Sequence, residues 1–278
     1  MFDSRKMIGY QAGDSFLHRL SGTSKLLFFL LVSIAAMTSY DTRLLLAIAL
    51  GSLALFTLSG IKFKQVSIVI LLASFFALLN VVMIYLFAPN YGVGLYQSKQ
   101  ILLEGWGAYS ITSQELFYLG NVLLKYICTI PLALIFLLTT HPSQFAASLN
   151  QIGLSYKVAY SVSLTLRYIP DLQEEFYMIK MSQEARGLEL SKKAKLSQRI
   201  KGNLQIITPL IFSSLDRIET IATAMELRRF GKHKKRTWYT AQKFGRADQL
   251  VTLLGFAVLL IALTLFFING SRFYNPWK

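Results

Sequence analysis

The residues able to do chemistry are few and scattered. His18, His141 and His233 lie on different segments and Cys128 is the only cysteine. No His/Cys set therefore has the spacing of a zinc site. Gly231-Lys232 follows Leu227-Arg228-Arg229-Phe230 rather than a glycine-opened loop, which excludes a Walker A phosphate cradle. There is no Gly-x-Ser-x-Gly nucleophile elbow. What does recur is a short charged unit. Glu184-Ala185-Arg186-Gly187 is followed 42 residues later by Glu226-Leu227-Arg228-Arg229. Each places a Glu, then an Arg two positions on, at the last turn of an amphipathic helical pattern. Cations complement the dipole of a helix C-terminus, so capping is one reading of the repeat. A shared function is the other.

Two helices must present these units. The first pattern runs from Ser155 to Arg186, with Leu172, Phe176, Ile179 and Gln183 on one face. Pro170 is expected to kink or break it, and Gly187 sits where a helix C-terminal glycine belongs. The second runs from about Leu204 to Arg229, with a stripe of Ile207, Ile211, Ile218, Ile221 and Met225, and Gly231 is expected to end it. Leu188 to Gly202, with Lys192, Lys193, Lys195, Arg199 and Lys201, reads as a solvated or headgroup-facing linker. Pro142 suits the first turn of a further helix after Thr140.

The rest of the chain is apolar. Of 278 residues, 54% are hydrophobic and only 15% charged, which excludes disorder and an ordinary soluble domain. Val66 to Phe87 and Leu250 to Ile268 carry no charge, and Leu116 to Leu138 carries only Lys125. Each is long enough to cross a hydrocarbon core, which takes about 20 apolar residues. Leu26 to Tyr40 and Leu44 to Ser59 are shorter. They span if Ser21 to Lys25 extends the first helix, with Lys25 snorkelling, and a re-entrant hairpin is the alternative. A cleaved leader is disfavoured, because the first apolar run starts only at Leu26 and pairs with the next. The fold class is thus an all-α polytopic membrane protein. Its expected parts are a membrane domain over 1–139 with about four spans, a helical cytoplasmic domain over 140–249, and a last span with a short outer tail over 250–278.

The formal charge of +15 then becomes a topology signal. Arg5, Lys6, Arg19, Lys25, Lys62, Lys64 and the 18 basic residues between Thr140 and Gln249 fall on one side of the spans. By the positive-inside rule that side, with the N-terminus, is cytoplasmic. Such basic stretches beside spans meet anionic lipid or solvent, so no nucleic acid is expected. Lys125 is the one intramembrane charge, expected to snorkel or to pair with a neighbouring helix. Asn80 and Asn121 read as interhelical hydrogen-bond partners, and Cys128 as a small core residue. The outer loop from Ala88 to Gln114, with Gly92, Gly94, Gly105, Gly107, Tyr91, Tyr96, Trp106 and Tyr109, reads as an interfacial lid.

Five segments carry a family resemblance. Gly13-Asp14-Ser15-Phe16-Leu17-His18-Arg19-Leu20 with Lys25, Thr139-Thr140-His141-Pro142, Leu166-Arg167-Tyr168-Ile169-Pro170, Gln183-Glu184-Ala185-Arg186-Gly187 and Ala224-Met225-Glu226-Leu227-Arg228-Arg229-Phe230 occur in that order. Together they resemble the transmembrane T components (EcfT/CbiQ) of energy-coupling factor (ECF) importers across nearly the whole chain. The second helix-end unit departs from the family's small-Arg-Gly pattern: Leu227 and Arg229 flank the retained Arg228.

The resemblance implies a non-enzymatic coupling subunit. Its partners would be two ABC-type ATPases, which bind the ATP and Mg, and a small membrane S component that selects a vitamin or transition-metal ion. This chain would hold no cofactor or metal of its own. The two helix ends, Glu184, Ala185, Arg186, Gly187 and Glu226, Leu227, Arg228, Arg229, would each dock in one ATPase. Arg186 and Arg228 would bear the force and Glu184 and Glu226 would orient them, since an Arg fork pairs bidentately with carboxylates. A competing reading is a lipid-modifying membrane enzyme using Lys232 to Arg236 with Trp238 and Tyr239, although it lacks paired acids and a nucleophile.

Overall fold

A computed structural model describes Gly13 and residues 15–104, 109–188, 196–233, 237–239, 241–242 and 244–277. Arg5, Lys6, Asp14, Gly105, Trp106, Gly107, Lys192, Lys193, Lys195 and residues 234–236 lie outside the described residues. The elements are α1 (Phe16–Arg19), α2 (Gly22–Thr38), α3 (Thr42–Leu58), α4 (Phe63–Phe87), α5 (Tyr91–Tyr96), β1 (Ile101–Leu103), β2 (Ile111–Thr112), α6 (Ser113–Thr139), α7 (Pro142–Gln151), α8 (Tyr156–Ala185), α9 (Leu196–Leu227) and α10 (Arg246–Asn269). The only strands among the described residues are β1 and β2, an antiparallel pair. The chain divides into two compact units, Met1–Gln144 with Gln242–Lys278, and Phe145–Ala241.

In the first unit, α4, α6 and α10 are long and apolar enough to cross a membrane, at 25, 27 and 24 residues. The α2 helix does begin at Gly22, capped by the Ser21 hydroxyl, which accepts from Ser24 N at 3.2 Å. At 17 residues each, α2 and α3 rise about 25 Å, short of a core about 30 Å thick. Their pairing with longer helices forms the centre of the unit. Val32, Ala35, Ala36, Leu45, Ile48, Ala49, Cys128, Leu132 and Ala262 make one buried cluster from α2, α3, α6 and α10. Small residues bring the backbones together: a side chain at Gly255 of α10 would meet Phe28 Cα of α2 at 3.4 Å.

Several polar groups inside this unit are bonded between helices. Lys25 does not snorkel. It is buried, and its Nζ donates to the Thr139 carbonyl at the end of α6 at 2.8 Å. Beside it Asp248, in the first turn of α10, accepts from Ser21 N (2.8 Å), the Ser24 hydroxyl (2.7 Å) and Gly245 N (2.8 Å). Lys125 pairs with a neighbouring helix: its Nζ donates to the Met37 carbonyl at 2.7 Å and lies 3.2 Å from the centre of the Tyr40 ring. Asn121 accepts from the Thr42 hydroxyl at 2.8 Å, whereas Asn80 is exposed on α4. Pro131 inside α6 cannot donate to the Ile127 carbonyl, and the Ser52 hydroxyl of α3, shared with the Ala49 carbonyl at 2.9 Å, reaches it at 3.2 Å.

The far end of the unit is held by aromatics. Tyr96 of α5 is buried against Phe117 and Trp277, with ring centroids 5.7 and 5.4 Å away. Burial pushes its phenol up to about 12, so it stays neutral at ordinary pH. Gly92 is required for α5 to lie on α6, because a Cβ there would stand 2.6 Å from the Gln114 carbonyl. Its N–H donates to the buried Glu115 carboxylate at 2.6 Å. The C-terminal tail adds a strap, with Tyr40 N donating to the Arg272 carbonyl at 2.8 Å and Asn269 to Asp41 at 2.9 Å.

Candidate functional site: the two helix ends

The second unit is built from α8, α9 and the segments beside them. Ser155 caps α8, accepting from Val158 N at 3.4 Å. The helix then runs unbroken through Pro170 to Ala185, so the expected break does not occur. The α9 helix starts at Leu196, inside the stretch expected to be linker, and carries Arg199, Lys201 and Gly202 within it. Its own proline, Pro209, is likewise internal. In each case a proline removes one backbone donor. An internal proline costs a helix about 3 kcal/mol, and where the position is exposed, as at Pro170, water can take the freed carbonyl.

The two helices cross near their middles. Glu175 of α8 meets Arg217 of α9 at 3.0 Å and also accepts from the Ser213 hydroxyl. The start of α8 meets the end of α9: the Phe230 ring lies 4.8 Å from Tyr160 and 5.5 Å from Tyr156, centroid to centroid. Trp238 stands 6.3 Å from Tyr160 and donates its indole N–H to Asn150 at 3.0 Å. These aromatics fix the end of α9, a role that neither their spacing nor their type announced.

Both helix ends close with one hydrogen-bond pattern. At the end of α8, Leu188 N donates to the Gln183 carbonyl (3.1 Å) and Gly187 N to that of Glu184 (3.0 Å). At the end of α9, Phe230 N donates to Met225 (2.9 Å) and Arg229 N to Glu226 (2.8 Å). This is the Schellman closure, repeated at the same 42-residue offset as the sequence unit. It needs a left-handed residue at the corresponding position of each end. Gly187 fills it with φ +89°. At the second end the position belongs to Arg229, with φ +55°, and α9 stops there rather than at Gly231.

The closure turns each chain end sharply and leaves Glu184, Ala185, Arg186 and Gly187 exposed, and likewise Glu226, Leu227, Arg228 and Arg229. Glu184 pairs with Lys180 one turn earlier at 3.7 Å, not with Arg186. The two ends are not brought together. Arg228 lies next to Phe230, packed on Tyr160, while Arg186 lies 26 residues further along α8, a rise of about 39 Å. Of the expected stripe of α9, Ile207, Ile211 and Ile218 are exposed while Ile221 and Met225 are half-buried, and Phe212 and Leu215 are exposed as well. An apolar face of that length with a charged corner at its end is built for contact. Among the described residues no group of His, Cys, Asp and Glu could hold a metal ion.

Residues 13–239 match the family model of CbiQ, described as a cobalt transport protein. The chain belongs to the CbiQ family. It is 26% identical over 263 residues to the energy-coupling factor transporter transmembrane protein EcfT of Lactococcus lactis, covering 91% of this chain and 95% of that one. It is 28% identical to EcfT of Streptococcus thermophilus, covering 94% of this chain and 97% of that one. With EcfT of Bacillus selenitireducens it shares 30% identity, covering 94% and 98%. The chain is accordingly an all-α membrane protein of the EcfT/CbiQ type, a transporter subunit rather than an enzyme.

Proposed function

We propose that this chain is the coupling subunit of an ECF-type importer. The observation that carries the reading is the pair of matching Schellman corners, one presenting Arg186 and the other Arg228 and Arg229, about 39 Å apart along α8. Two similar corners suit two similar partners, and the separation lets each be held by a different one. In this reading Arg186 and Arg228 each reach a carboxylate in a groove of one ABC-type ATPase, where a planar guanidinium forms two parallel charge-assisted hydrogen bonds. Because Glu184 is engaged by Lys180, it is the backbone corner rather than the neighbouring acid that aims Arg186. ATP and Mg remain on the ATPases. A small S component, the remaining partner in this reading, selects a vitamin or a transition-metal ion. The basic-rich side, with the N-terminus, is cytoplasmic.

Force applied at the corners enters the membrane unit through its two chain crossings, at Thr139-Thr140 and Gly245-Asp248. Lys25 and the Ser21/Ser24 pair clasp both crossings to the start of α2. The test is co-purification and uptake with Arg186→Glu, Arg228→Glu and the double variant. Each single reversal is expected to release one ATPase contact, and the double to abolish both association and uptake. Full association and uptake by the double variant would sink the reading.

A further inference from the structure

The α4 helix is nearly bare, with Val66 and Ala77 its buried residues. Where it leans on α3 and α6 it leaves a groove of about 410 Å³. Phe56, Ser74, Ala77, Ile127, Pro131 and Leu134 are among its walls, which are almost wholly apolar. From Leu123 to Leu134 the groove follows α6 for about 16 Å, close to one leaflet of a core about 30 Å thick. A single hydrocarbon chain is slender enough to lie in it.

Phe63 lines one end of the groove, and its two chain neighbours, Lys62 and Lys64, are exposed beside that end without lining it. The chain has no Asp or Glu from Thr42 to Leu103 or from Leu116 to Thr140. The acids nearest these walls, Asp41 and Glu115, stand at the opposite ends of α3 and α6. No carboxylate on the three walls therefore serves these ammonium groups. They lie on the basic-rich side of the membrane unit, where an anionic headgroup surface is expected.

We propose that this groove is a binding site for one anionic phospholipid. An acyl chain lies along α6 between Phe56 and Ala77, and the phosphate is held by Lys62 and Lys64. The inference is independent of the coupling function proposed above.

Native mass spectrometry of the full chain, with phosphatidylglycerol and phosphatidylcholine of equal chain length, tests it. Two lysines at the surface favour the anionic lipid by about thirtyfold. Wild type is expected to retain one phosphatidylglycerol at that preference. Lys62→Gln with Lys64→Gln is expected to retain both lipids equally. Ser74→Phe, which fills the groove from an exposed position, is expected to retain neither. Should that variant not survive purification, Ile127→Phe fills the groove from the facing wall. Equal retention of the two lipids by wild type, or undiminished retention by the filled groove, overturns the proposal. So does a polypeptide occupying the groove.

Discussion

Replacing Arg229 by glycine should stabilise the end of α9 even though it deletes a charge from a charged corner. Arg229 holds φ +55°, where the Cβ of an L residue crowds the following carbonyl at a cost of about 1–2 kcal/mol. Glycine avoids that cost but gives the unfolded chain more freedom, which returns about 0.4–1 kcal/mol. The net gain is about 0.5–1 kcal/mol, a factor of about two to five in local opening. The matching loss comes from Gly187→Ala. A Cβ at Gly187 meets nothing within 4 Å, so that variant isolates the backbone cost at φ +89° from any clash. Amide exchange is the assay, because opening of a helix end is local and a global melting point misses it. The reporters are Phe230 N–H, bonded to Met225, and Leu188 N–H, bonded to Gln183. Exchange at Phe230 should slow about two- to fivefold in Arg229→Gly, and exchange at Leu188 should quicken by a similar factor in Gly187→Ala. If Arg229→Gly leaves Phe230 unchanged or faster, the arginine side chain is itself holding the corner and the backbone account is wrong.

Three further outcomes follow from the membrane unit. Asp248→Asn weakens three buried hydrogen bonds to a carboxylate and should cost about 2–3 kcal/mol, read as a lower unfolding midpoint in detergent. Ser52→Ala should cost about 1 kcal/mol by leaving the Ile127 carbonyl bare, and much less once Pro131→Ala restores the backbone donor. A double-mutant cycle measures that coupling, and strict additivity would refute it. Gly92→Ala drives a methyl into the Gln114 carbonyl. It should loosen α5 from α6 by about 1–3 kcal/mol, seen as faster proteolysis between Tyr91 and Ser98 with the α9 end unaffected.

The bounds of α8 were legible because their signals are local, whereas α9 starts at Leu196, inside the expected linker, and turns at Arg229 rather than at Gly231. Ser155 caps α8, and Gly187 takes the left-handed position that a glycine after a helix suggests. Arg229 was harder: nothing in its type foretells φ +55°, and only the 42-residue match to Gly187 hints at it. Pro170 misled for a physical reason: it is exposed, so water can take the freed carbonyl and the helix runs on through it. Lys25 was expected to reach outward because its partner is 114 residues away, at Thr139. Asp248 likewise finds Ser24 across 224 residues. Such pairs exist only once the helices have assembled.

That assembly makes the membrane unit self-sufficient in an unexpected place. The strand of chain leaving at Thr139 and the one returning at Gly245 are fastened to one short stretch of α2, Ser21 to Lys25, by Lys25 and Asp248. The segment between them is thus inserted at a doorway whose two posts are bonded to one shared stretch of chain. A short flexible bridge from Pro142 to Phe244 in place of that segment should leave the unfolding midpoint of the first unit nearly unchanged, because closing a short loop costs little entropy.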